Sequence, residues 1–224
     1  TSHLHNYNLL EILTHIRHGE KVFNMKRLLL ILILTFNFQA LTKADDIRDF
    51  EIEGMSIGDS ALDFMSINEI KEIIKSTKDH YKYLKHPRKY REAYIFQPNN
   101  FMNYEKASLM FKKNDNNYEI LFIRGIKDYI ENLSGCLSKL SEVAKDIEDS
   151  IPNHTKEFYK FKSKLDKSGK STYHNTYYTL SSGDEIVLSC NNWEEKLRKK
   201  KNWSEGLSVI IQTKEIAVWL TQHK

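Results

Sequence analysis

Two stretches of opposite periodicity each carry one of the chain's two cysteines, Cys136 and Cys190. Around the first, Ile126, Ile130, Leu133, Leu137, Leu140, Ala144 and Ile147 recur every three or four residues. That spacing collects apolar side chains on one stripe of a helix, expected over about 127–149, with Cys136 at the edge of the stripe. Around the second, EIVLSC alternates, so Ile186, Leu188 and Cys190 share one strand face. A helix stripe and a strand face each need an apolar partner, and they supply it to one another if the helix lies on the sheet. The two sulfurs are then expected to join. A bridge closing a loop of this size stabilises by roughly 4 kcal/mol in the chain-entropy picture. It also belongs to an oxidising compartment.

The N-terminal region points to the same compartment. Residues 25–44 read MKRLLLILILTFNFQALTKA, with Met25, Lys26 and Arg27 as a positive start and Leu28 to Leu34 as an unbroken apolar run. Thr35, Asn37 and Gln39 then dilute the run, and Thr42 and Ala44 place small residues before Asp45. These are the parts of a secretory signal peptide cut after Ala44. A bilayer-spanning helix needs about 20 predominantly apolar residues, so no stable span is expected after cleavage. The localisation expected is periplasmic or secreted. Residues 1–24 precede the natural start of such a signal and are expected to be a spurious upstream segment. Its His3, His5, His15 and His18 are not taken as a metal site.

A cut after Ala44 leaves 180 residues, 45–224, expected to form a single α+β domain with its own core. The removed segment takes five basic and two acidic residues with it, leaving 29 basic against 28 acidic, a balance that gives no reason to expect nucleic acid. Ser60-Ala61-Leu62-Asp63 and Ser66-Ile67-Asn68-Glu69 both fit helix-capping boxes, the second with Met65 and Ile70 as a hydrophobic staple. Extended segments are expected near 93–97, 106–112 and 118–124, and again near 172–180, 185–190 and 207–212, with SSGD as a hairpin turn. Residues 160–171 read as a charged, mobile connection, and 196–201 as part of a hairpin loop. Thr213 starts a last helix carrying Ile216, Trp219 and Leu220. The order helix, three strands, helix, three strands, helix predicts an antiparallel sheet with helices packed on it, and hints at a divergent internal duplication.

Three short motifs suggest chemistry. Gly58-Asp59-Ser60 resembles the opening block of the GDSL-type ester hydrolases, which would make Ser60 a nucleophile needing a histidine base and oxyanion donors. No aspartate here has a histidine three residues later, Asn114-Asp115 lacks the preceding glycine, and His174 and His223 stand outside the expected context. A turn at Gly58 and a cap at Asp59 or Ser60 account for the same residues. Gly169-Lys170-Ser171-Thr172 is similar to the end of a phosphate-binding loop, but Lys164 stands where that motif needs glycine. Asp45, Asp46, Asp49, Glu51 and Glu53 lack the glycine spacing of a calcium hand and read as a strand lead-in. No motif calls for a cofactor or metal.

One stretch suggests binding. KDHYKYLKHPRKYREAY, residues 78–94, has six Lys or Arg against Asp79 and Glu92. Lys82, Lys85, Arg88, Lys89 and Arg91, with Tyr83 and Tyr90, form a candidate anionic-ligand patch. The run 196–201 is placed to extend it. Outside the cytoplasm the expected partner is an envelope protein or an anionic envelope polymer. The signal region together with DDIRDFEIEGMSIGDS, and the later Gly135-Cys136 and Ser189-Cys190, resembles a group of small exported proteins of marine bacteria. That resemblance implies export and a shared fold, and no activity. The function expected is a non-catalytic binding or envelope-associated accessory protein, with an ester hydrolase built on Ser60 as the alternative.

Overall fold

The computed structural model of the protein describes residues 46–77, 81–96 and 101–223, all inside one unit bounded by Lys43 and Lys224. The expected upstream segment 1–24, the signal peptide 25–44 and the cut before Asp45 lie outside the described residues, as do Lys78 and Asp79 of the basic stretch.

After a 3-10 turn, Ile47–Asp49, capped by Asp46, the described chain forms a short hairpin, β1 (Glu51–Ile52) with β2 (Met55–Ser56). Its turn residues, Glu53 and Gly54, both have positive φ, the conformation whose twist matches the flanking strands. Gly58, at φ 92°, makes the next bend. Ser60 then caps a single 3-10 turn, Ala61–Asp63, without the reciprocal contact of a full box. Ser66 opens α1 (Ile67–Ser76) with the expected box: its hydroxyl accepts from Glu69 N–H at 3.3 Å, and Glu69 accepts from Ser66 N–H at 2.8 Å.

β3 (Tyr90–Phe96), β4 (Lys106–Lys112) and β5 (Phe122–Asp128) follow as an antiparallel meander. α2 (Leu133–Ser150) carries the chain across to the far edge, where β6 (His154–Lys162) starts a second meander with β7 (Thr172–Leu180) and β8 (Glu185–Asn192). After α3 (Glu195–Lys201), β9 (Gly206–Gln212) fills the middle of the sheet between β8 and β5, and α4 (Lys214–Thr221) ends the described chain. The seven-stranded order β3-β4-β5-β9-β8-β7-β6 is antiparallel throughout, so the α+β class expected from the sequence is the class observed.

Alternation along each strand gives the sheet two faces. On one face α1 and α2 bury Ile70, Cys136, Leu140 and Ile147 against Leu109, Ile123, Leu188 and Val209. On the other, α4 buries Ile216 and Trp219 against Tyr90, Met110 and Phe122. Each such large side chain, fully buried, stabilises by roughly 1.5–3 kcal/mol. The predicted bridge is present: Cys136 of α2 and Cys190 of β8 are disulfide-bonded, with Cα atoms 6.0 Å apart.

Four local expectations need correction. The long helix begins at Leu133, not 127; Ile126 belongs to β5 and Ile130 is exposed, so their helical spacing is coincidental. The strand expected at 118–124 lies at 122–128, because Tyr118 turns back at φ 50°. Residues 154–162, the last three of which (160–162) were expected in a mobile connection, form the edge strand β6. Its side chains are nearly all exposed, so backbone pairing to β7 defines it, not apolar alternation. Residues 195–201 are helical, stabilised by the Glu194 cap on Leu197 N–H and the Glu195–Lys199 pair one turn apart. The second half therefore has four strands and an extra helix, and the repeating order is matched only loosely.

Candidate functional site

α4 covers only one end of its sheet face. At the other end that face lies open as the floor of a cleft of about 700 Å³. Strand register builds the floor: Tyr94, Ser108 and Arg124 stand directly opposite one another across β3, β4 and β5, and Ile126 pairs with Ser208 of β9. Ser108 donates to the Glu92 carboxylate. The Arg124 guanidinium lies 5.7 Å from the centre of the Tyr94 ring, a cation–π arrangement. Arg124 is half-buried, and among the described residues its Nε has no hydrogen-bond partner. Its guanidinium gives the floor a positive charge.

Aromatic rings make the two walls. One wall is Tyr81 and Tyr83, 6.4 Å apart, held by Tyr81 against Trp219 and by Tyr83 stacked on His223. The other is Trp193 and Trp203 at 4.4 Å, with Tyr173 edge-on to Trp193 at 5.1 Å. Trp193 donates its indole N–H to Ser204 O at 2.9 Å, and Ser204 Oγ lies 3.3 Å from the Tyr94 hydroxyl, which ties this wall to the floor. Burial pushes the phenols of Tyr81 and Tyr83 above their ordinary value, with a further push from Glu92. The cleft therefore presents neutral hydroxyls beside one guanidinium, one carboxylate and Lys201.

Buried electrostatics position the tryptophan wall. Glu205, 2% exposed, accepts from Glu131 N–H at 2.9 Å. Its other oxygen lies 2.8 Å from Arg198 Nε, close enough for full attraction though not aligned as a hydrogen bond. Arg198 thus anchors α3, and Asn202 in the left-handed conformation turns the chain into Trp203. Gly206 follows at φ 142°, where a Cβ would lie 2.3 Å from Lys127 O. Only glycine lets β9 approach β5 there.

The residues expected to bind do not share one surface. Tyr90 is 6% exposed and packs edge-on against Trp219. Lys89 lies 3.1 Å from Glu215 and over the Tyr90 ring. Arg91 points to the opposite sheet face from Tyr90. Lys82, Lys85 and Arg88 are exposed on the loop beside α4, and Tyr83 alone of the predicted set lines the cleft. Of the run 196–201, Arg198 turns inward and Lys199 pairs with Glu195.

The three chemical motifs have structural partners. The Ser60 hydroxyl donates to Asn117 O at 2.6 Å and accepts from Leu62 N–H at 3.2 Å, while Asp59 accepts from Ser56 N–H. In the loop 163–171 the Asp166 carboxylate accepts from the amides of Ser168, Lys170 and Ser171 and from the Ser171 hydroxyl, so the loop's amides enclose its own anion. Glu53 likewise accepts from the amides of Met102, Asn103 and Tyr104. Among the described residues no group of three acidic, histidine or cysteine side chains is gathered as for a metal. The sequence did hold a signal for the cleft: Arg124 is the one charge in FIRGI, inside an otherwise apolar strand. No family model, curated protein or solved structure matches the chain.

Proposed function

We propose that the chain is an exported, non-catalytic binding protein whose ligand occupies the cleft floored by Arg124. The observation that carries this reading is the cleft itself, about 700 Å³, with Arg124, Glu92 and Lys201 among phenols and indoles. Its size falls in the range of ordinary small-molecule sites, about 300–1,000 Å³. Export rests on the signal-like residues 25–44, supported by the Cys136–Cys190 bridge, which suits an oxidising compartment. Among the described residues no helix is long and apolar enough to cross a membrane. Kinship with the small exported proteins of marine bacteria belongs to the same proposal, as does an accessory role beside an envelope protein or polymer. Binding is favoured over hydrolysis because the Ser60 hydroxyl is committed to backbone partners, whereas a nucleophile needs its proton facing a base.

The test is chemical-shift mapping of the folded protein with a mixed set of small carboxylates, neutral sugars and amino acids. Shifts are expected to converge on Arg124, Ser208 and the indoles of Trp193 and Trp203. Shifts centred on Ser60, or ester hydrolysis lost in Ser60→Ala, favour the hydrolase instead.

A further inference from the structure

We propose that the ligand of this cleft is an acidic saccharide longer than one ring, an inference that rests on the binding reading above. The charge comes first. A planar guanidinium makes two parallel hydrogen bonds to a planar carboxylate, and Arg124 is the cation at the floor. Glu92 on the same floor offsets one of the two cations, Arg124 and Lys201, so the site suits a ligand with one negative charge per ring better than a phosphate dianion. Polarity comes next. Asn191, Ser204 and Ser208 line the cleft with Glu92 and have further hydrogen-bonding capacity to offer to hydroxyl groups, which a fatty-acid chain would cover without using. The walls complete the match, because the C–H face of a sugar ring packs on an aromatic ring while its hydroxyls point sideways.

Length is read from the aromatic run that leaves the cleft. Trp203, Trp193, Tyr173 and Phe161 follow one another at centroid separations of 4.4, 5.1 and 4.8 Å. The run ends on Phe161 at the sheet edge, 47% exposed. A continuous aromatic path from the half-buried cation to an open edge suits a chain of rings with one residue anchored at Arg124.

Tryptophan fluorescence tests this with a galacturonate trisaccharide, monomeric galacturonate, the neutral maltotriose, decanoate and a four-nucleotide thymidine oligomer. The acidic trisaccharide is expected to quench, binding about tenfold or more tighter than maltotriose. Arg124→Lys keeps the charge but loses the fork, and is expected to weaken the acidic trisaccharide about tenfold with an unchanged melting curve. The exposed Phe161→Ala change is expected to weaken the trisaccharide and leave the monomer unaffected. Equal binding of maltotriose overturns the acidic character, and a Phe161→Ala variant that binds like the parent overturns the length. If decanoate or the oligonucleotide binds most tightly and depends on Arg124, the cleft stands as a binding site and the saccharide inference falls. If no probe quenches, both fall.

Discussion

Ser60 shows how one hydroxyl decides between chemistry and structure. It accepts from Leu62 N–H and donates to Asn117 O, joining the 3-10 turn to a segment 57 residues away. Ser60→Ala is expected to lower stability by about 0.5–2 kcal/mol, read from urea denaturation, and to leave ligand binding in the folded fraction intact. Asp166 shows the same economy in a loop. Hydrogen bonds from Ser168 and then Ser171 hold its carboxyl below the ordinary 3.8. A carboxyl depressed in the folded state contributes stability above its unfolded value and loses it as pH falls further. On acid titration the amides of Ser168, Lys170 and Ser171 are expected to hold their shifts at pH 4 and move only below the ordinary carboxylate range. Movement of those amides in step with the exposed carboxyls above pH 4 contradicts the enclosure.

Among the elements, the bridge between α2 and β8 is the one covalent tie across the layers in the described residues. Its cysteines are 54 residues apart, so reduction, or the paired Cys136→Ala and Cys190→Ala changes, is expected to cost about 4 kcal/mol. A melting curve unmoved by reductant contradicts that contribution. This tie was legible because each cysteine sits in strongly patterned sequence, and the same holds for β7, β8, β9 and α4, where alternation and the Thr213 cap agree with the fold. β6 and α3 were not legible for a shared reason. Both are solvent-facing, so neither has an apolar stripe, and each is defined by pairing or capping that periodicity does not record. The exposed lysines along one face of β6, Lys156, Lys160 and Lys162, also suit an edge that must not pair with another chain.

At the scale of the whole molecule, the two faces of one sheet do different work. One is closed by α1, α2 and the disulfide and forms the larger part of the core. The other is closed by α4 at one end and left as an aromatic cleft at the other. The cleft draws residues from β3, β5, β7, β8 and β9, from the ends of α1 and α3, and from four connecting segments, which no local motif can announce. The basic-aromatic stretch was conspicuous because its residues are contiguous, yet folding sends Tyr90 to the core and Arg91 to the opposite face. Whether the cleft floor or the exposed basic loop binds the ligand is decided by comparing two variants in one fluorescence titration with galacturonate trisaccharide. Arg124→Met removes the floor cation, whereas Lys82→Gln, Lys85→Gln and Arg88→Gln together discharge the exposed loop. Arg124→Met is expected to abolish quenching, and the loop variant to bind within about twofold of the parent, since exposed charges contribute little. Loss of binding in the loop variant, with Arg124→Met unimpaired, contradicts binding at the cleft floor.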